Sequence, residues 1–119
     1  MTQLTLSAFF DVVRFLLEAG VTVVAEAAFQ DHVWHPRLEV LNDLADIRIV
    51  RCWMDPTIGR QRMAVRAKRH AHVDSSISND PAYYDGFVPV SFAAPTIDVD
   101  TSNGYAPALD QVVRFIQGA

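Results

Sequence analysis

Cysteine is almost absent from the 119 residues: Cys52 stands alone. That excludes an internal disulfide framework and a zinc site built from several thiolates. Basic residues are too few for a dedicated nucleic-acid binder, because ten Lys and Arg against fourteen Asp and Glu leave a net charge of −4. Long apolar runs are missing. The longest, such as Val21 to Ala25, is far too short to span a bilayer. No basic stretch precedes an apolar one at the N-terminus, so no signal peptide is visible and a cytoplasmic protein is the expectation. Repeats and low-complexity tracts are absent as well. Glycine occurs five times, at positions 20, 59, 86, 104 and 118, and none of these precedes a lysine. A phosphate loop of the form G-x-x-x-x-G-K-[ST] is therefore excluded from this chain.

What is present suits a single packed domain over residues 1–119. Half of the residues are hydrophobic and a fifth are charged, enough apolar material for a core. Phe9, Phe10, Val13, Leu16 and Leu17 recur at helical spacing, which predicts a helix from Ser7 to Ala19 with Ser7 as N-cap. Gly20 stands where a left-handed residue would end it. Val21 to Ala25 is short, β-branched and continuously apolar, the pattern of a strand buried on both faces, and it ends in Glu26. A loop from Ala27 to His35 leads to a second helix with Pro36 in its first turn and Leu38, Leu41, Leu44 and Ala45 as its stripe. Ile47 to Trp53 reads as a second strand. Asp55 and Pro56 open a third helix, running to about Arg69, as N-cap and first residue.

Between His70 and Pro95 periodicity disappears, so residues 70–95 are expected to form a lid or substrate loop. Thr96 to Asp100 alternates in the strand period. Thr101 to Tyr105 is a turn, and Pro107 to Gln117 is a last helix carrying Leu109, Val112, Val113 and Ile116. Strands alternate with helices, which predicts an α/β fold of three layers with a mostly parallel sheet. Ligands in such folds bind beyond the carboxyl ends of the strands. Here those ends carry Glu26, Asp55, and Asp100 with Thr101.

The densest chemical signal is in the third helix, where Arg60, Arg62, Arg66, Lys68 and Arg69 hold half of all the basic residues. Arg62, Arg66 and Arg69 share a face. Guanidinium forks match phosphate oxygens and neutralise charge on a transferring phosphoryl group. A solvated basic face near a helix C-terminus has the same pattern, and composition alone leaves both readings open. Glu26 suits proton transfer, magnesium binding or a simple turn. His32, Trp34 and His35 lie together in the loop before the second helix, at the ligand edge. His70, His72 and Asp74 read as a polar loop rather than a metal cluster. Cys52, among apolar residues, reads as a buried, inert thiol.

The order of these pieces resembles a known family. Leu17 to Phe29, then Cys52-Trp53-Met54-Asp55-Pro56 with its arginine-rich helix, then Val99 to Tyr105, are similar to the later two-thirds of small bacterial kinases. These belong to the zeta-toxin-like group of the P-loop NTPase superfamily, with AAA-type ATPase relatives. The resemblance spans nearly the whole chain and implies an ATP-dependent phosphotransferase domain without its phosphate-binding loop. Glu26 then takes the place of the acidic residue near magnesium or the acceptor. Arg60, Arg62 and Arg66 fall in the lid over the phosphates, as a catalytic set with Glu26. Asp100, Thr101, Gly104 and Tyr105 match the loop beside the nucleotide base. His32, Trp34 and His35 fall on the side of a small-molecule or nucleotide acceptor. ATP and Mg2+ are the cofactors of the intact family.

The missing segment lies upstream of Met1, has been lost, or is supplied by a second polypeptide. In isolation the chain is expected to be inactive, and the alternative is a non-enzymatic α/β module that binds a partner chain. Without the central strand of the family, a three-stranded parallel sheet is expected, in the order Val21–Ala25, Ile47–Trp53, Thr96–Asp100. Self-association through newly exposed apolar surface is expected with it.

Overall fold

The structure, a computed structural model, describes residues 2–69 and 88–118. It is a small mixed α/β fold. In chain order its elements are α1 (Gln3–Glu18), α2 (Asp31–Asn42), β1 (Ile49–Trp53), α3 (Pro56–Arg69), β2 (Thr96–Asp100) and α4 (Leu109–Ile116). These residues gather into two compact units, one of residues 2–47 with 88–94, the other of 48–69 with 95–118. The first part of the expected lid, 70–87 with His70, His72 and Asp74, lies outside the described residues.

In the first unit α1 buries Leu6 and Val13 and half-buries Phe9, Phe10, Leu16 and Leu17, the face expected from the spacing. The helix begins earlier than expected. Thr2, not Ser7, is the N-cap, and its Oγ1 accepts the Thr5 N–H at 3.1 Å. Leu6 continues the same stripe one turn upstream, which is why the helix extends there. At the other end Gly20 adopts φ +80°. The Gly20 N–H donates to Leu17 O and the Val21 N–H to Leu16 O, each at 3.0 Å, so two orphan carbonyls are satisfied by a Schellman turn.

Val21–Ala25 is not a strand. It is extended and mostly exposed, with Val24 92 % exposed. Its composition favours a strand, but that preference needs a neighbouring edge to pair with, and none meets it. Glu26 consequently sits in an exposed coil rather than at a strand end.

The second helix also starts earlier than expected, at Asp31, so His32, Trp34 and His35 are helical and Pro36 lies inside α2. A tertiary contact sets this start. The Asp31 N–H donates to Val88 O at 3.0 Å, and Asp31 Oδ1 accepts the Ser91 N–H at 2.7 Å. The chain at 88–92 thereby takes a helix-start donor that Gln30 does not cap. Pro36 has no N–H, so the His32 carbonyl lacks its intrahelical donor. One turn along, Arg37 Nη1 donates to Val33 O at 2.6 Å. The core of this unit is Leu6, Val13, Trp34, Leu41 and Val90. Trp34 meets Phe9 and Phe29 edge-on, with ring centroids 5.6 and 4.8 Å away.

In the second unit β1 and β2 pair in parallel, with Ile49 opposite Thr96 and Trp53 opposite Asp100. Among the described residues the sheet has these two strands, not three. The first strand begins at Ile49 rather than Ile47. The third helix and β2 match expectation, and α4 begins at Leu109 rather than Pro107. Val99 and Val112 are its buried residues. Arg48 lies 5.9 Å over the Phe115 ring.

Candidate functional site

The carboxyl edge of β1 and β2 is where a parallel α/β sheet offers a site. Two connections converge there. Met54 and Asp55 join β1 to α3, and residues 101–106 follow β2. Thr101 binds the end of β1 twice, its N–H and its Oγ1 both donating to Trp53 O, at 2.8 and 3.0 Å. Ser102 Oγ accepts the Asp55 N–H at 2.9 Å. Asp55 caps α3 as expected, its Oδ1 accepting the Thr57 N–H at 2.9 Å. Asp100 Oδ1 accepts the Ser102 N–H at 2.9 Å, and these Ser102 hydrogen bonds hold its carboxyl below the usual carboxylate range. Gly104 turns the chain at φ +73°, so that Ala106 returns to exchange both backbone hydrogen bonds with Asp100. Tyr105 is exposed on this turn.

Arg62 closes the edge. From the second turn of α3 its Nη1 donates to Thr101 O and its Nη2 to Ser102 O, both at 2.9 Å. Nη1 also lies 3.8 Å from Met54 Sδ. A planar fork suits two adjacent carbonyls as well as it suits a phosphate. Arg66 follows Arg62 by one turn, whereas Arg60 sits about 200° round the helix from Arg62. All three are exposed. Of the expected site, Arg62, Asp100 and Thr101 are thus brought together, with Gly104 shaping their loop. Glu26, His32, Trp34 and His35 belong to the first unit.

Within that unit His32 is exposed, and Trp34, only 3 % exposed, is the aromatic hub of the core. His35 donates from Nδ1 to Ser91 O at 2.5 Å. Asp31 and Glu39 flank it at 3.5 and 3.4 Å, and Phe92 meets its ring edge-on at 5.5 Å.

Two groupings had no sequence signal strong enough to find them. Ser102 joins two loops 47 residues apart. Arg51 and Asp98 stand opposite each other in the strand register and form a fork-to-carboxylate pair at 2.6 and 2.9 Å. That pair raises the Arg51 pKa and lowers that of Asp98. The middle residues of two five-residue strands do align in a parallel pair, so the register, once known, makes this contact legible. Cys52, expected to be buried, is exposed, because nothing among the described residues packs on that end of β1.

No group of three His, Cys, Asp or Glu side chains among the described residues could hold a metal ion. No helix among them is long and apolar enough to cross a membrane. Scans of protein-family models, curated proteins and solved structures find no match to this chain.

Proposed function

We propose that the chain is a non-enzymatic α/β module that works by binding a partner chain. The observation that carries this reading is the state of the sheet. Parallel sheets are ordinarily buried and several strands wide, yet β1 and β2 form a pair with no further strand on either side among the described residues. Apolar side chains stand exposed around them: Trp53, Leu109, Val113 and Ile116 in the same unit. Exposed apolar surface gathered in this way marks an interaction site. The carboxyl edge supports the same reading. Arg62 is bonded to the main chain, and the carboxylates of Asp55 and Asp100 hold their own turns.

A second reading, a phosphotransferase scaffold of P-loop kinase ancestry using ATP and Mg2+, has one observation in its favour. The arginine helix starts directly beyond β1, and Arg62 reaches the loop after β2, where phosphates and base would lie in that family. The donor set does not fit the cofactor. The chain has no phosphate loop, and Asp55 and Asp100 at this edge are engaged with backbone N–H groups. No step is derived through ATP here.

The deciding experiment follows ADP release from Mg2+ and ATP with the purified chain. The module reading expects none above the protein-free rate. Turnover within the roughly 1–100 per second of kinases, lost in Arg62→Ala and Glu26→Gln, would overturn it. A titration with inorganic phosphate at low and high salt checks the arginine cluster separately. Salt-sensitive binding that Arg66→Ala abolishes would favour the second reading.

A further inference from the structure

Two features of the chain complement each other. The first is the outer edge of β1. The Ile49 N–H donates to Pro95 O, and Trp53 O accepts from Thr101. In a parallel ladder, residues alternate between facing the partner strand and facing away. Ile49 and Trp53 face β2, so Val50 and Cys52 present their N–H and C=O groups to the opposite side. The same alternation turns Asp100 outward on β2, and there the edge is already closed by both bonds to Ala106. No described strand closes the β1 edge.

The second feature is the segment Val21–Ala25. It is extended, carries no charge, and has three valines and a threonine in five residues. Beyond the Val21 N–H that finishes the α1 turn, its backbone makes no hydrogen bond among the described residues. It matches β1 in length, five residues against five. A strand-forming stretch with unbonded amides and a strand edge with outward amides have the same deficit and relieve each other.

We infer that Val21–Ala25 of one copy adds as a strand to the outer edge of β1, beside Val50 and Cys52, in a second copy. Within one copy the segment is extended and no third strand joins the sheet, so the occupant comes from another chain. Each copy carries both the segment and the edge. The exchange is therefore reciprocal, and a twofold dimer closes it without leaving an edge to propagate. The inference rests on the partner-binding reading and names the partner as this chain itself.

The test uses the whole chain. Light scattering over a dilution series gives the mass, and amide hydrogen exchange is followed at residues 22–25, 50 and 52. Two substitutions remove an edge donor: Val23→Pro in the segment and Cys52→Pro on β1. The Cys52 N–H faces away from β2, so the β1–β2 ladder is retained in the second variant. Circular dichroism reports whether each variant folds, and the exchange data on the unaltered chain stand without them.

The expected result is a mass rising toward twice 13.3 kDa with concentration. Amides 22–25, 50 and 52 gain protection together, and both prolines hold the chain at the mass of one copy. A single-copy mass at every concentration, with Val50 and Cys52 exchanging freely, overturns self-pairing and leaves the edge open to a different partner. Protection of those two amides in the monomer shows the edge closed within one copy, and then the partner-binding reading falls as well. A dimer indifferent to both prolines forms elsewhere and overturns the inference alone.

Discussion

Replacing Arg62 by alanine tests whether this side chain is a structural clamp or a ligand group. The substitution removes two charge-assisted hydrogen bonds of 2.9 Å, to Thr101 O and Ser102 O. Hydrogen bonds contribute about 0.5–1.5 kcal/mol net, and up to about 3 kcal/mol when one partner is charged. Arg62 is exposed, so the lower range applies and the pair sums to about 1–3 kcal/mol. Holding the long side chain in one geometry costs up to about 2 kcal/mol, which offsets much of this. A net loss of about 1 kcal/mol remains, or about a fivefold change in a local opening equilibrium.

The effect is expected in the loop that Arg62 holds. Amide exchange at Thr101 and Asp55, whose N–H groups bond to Trp53 O and Ser102 Oγ, should accelerate about fivefold. Arg62→Lys should recover little of this, because an ammonium cannot fork across two carbonyls. Gln61→Ala, one residue away on the exposed surface of α3, should leave both amides unchanged. Exchange rates in Arg62→Ala equal to those of the unaltered chain would refute the clamp and return Arg62 to the solvent or to a ligand.

Further outcomes follow from other contacts. Asp98 is held below its ordinary pKa by Arg51, so its contribution is present above the unfolded carboxylate pKa and is lost as pH falls through the lower folded value. Both partners are substantially exposed, so Asp98→Asn should cost no more than about 1 kcal/mol at neutral pH and flatten the acid limb of a urea-denaturation series. Gly20→Ala meets nothing within 4 Å, so its whole effect is backbone strain at φ +80°, about 1–2 kcal/mol by thermal melting. Trp34→Ala should cost about 3–5 kcal/mol in the first unit, enough to unfold it. Val24→Ser, at a fully solvated position, should leave the melting temperature of the monomer within error.

Local chemistry, readable from the sequence alone, decided several elements. Asp55 and Pro56 start α3 because a carboxylate cap and a residue without N–H suit a helix start. Thr96–Asp100 alternates with the strand period and is a strand with Val99 buried. Gly20 ends α1 because the left-handed turn that satisfies its last carbonyls favours a residue without Cβ. Each of these outcomes depends on residues within a few positions of one another.

Tertiary structure decided what depends on distant partners. Val21–Ala25 has the composition of a strand, but a strand exists only beside another edge, and sequence pattern does not say whether one arrives. The start of α2 moved from Pro36 to Asp31 because Val88 and Ser91, more than 50 residues away, take up the Asp31 N–H and carboxylate. His32, Trp34 and His35 looked like one cluster in a loop. On a helix Trp34 instead turns to the core, while His35 reaches Ser91 and His32 is left in solvent. Arg62 was legible as a guanidinium on an exposed helix face. That its fork closes on two carbonyls of the loop after β2 was not, because its partners are main-chain atoms 39 and 40 positions away and carry no side-chain signature.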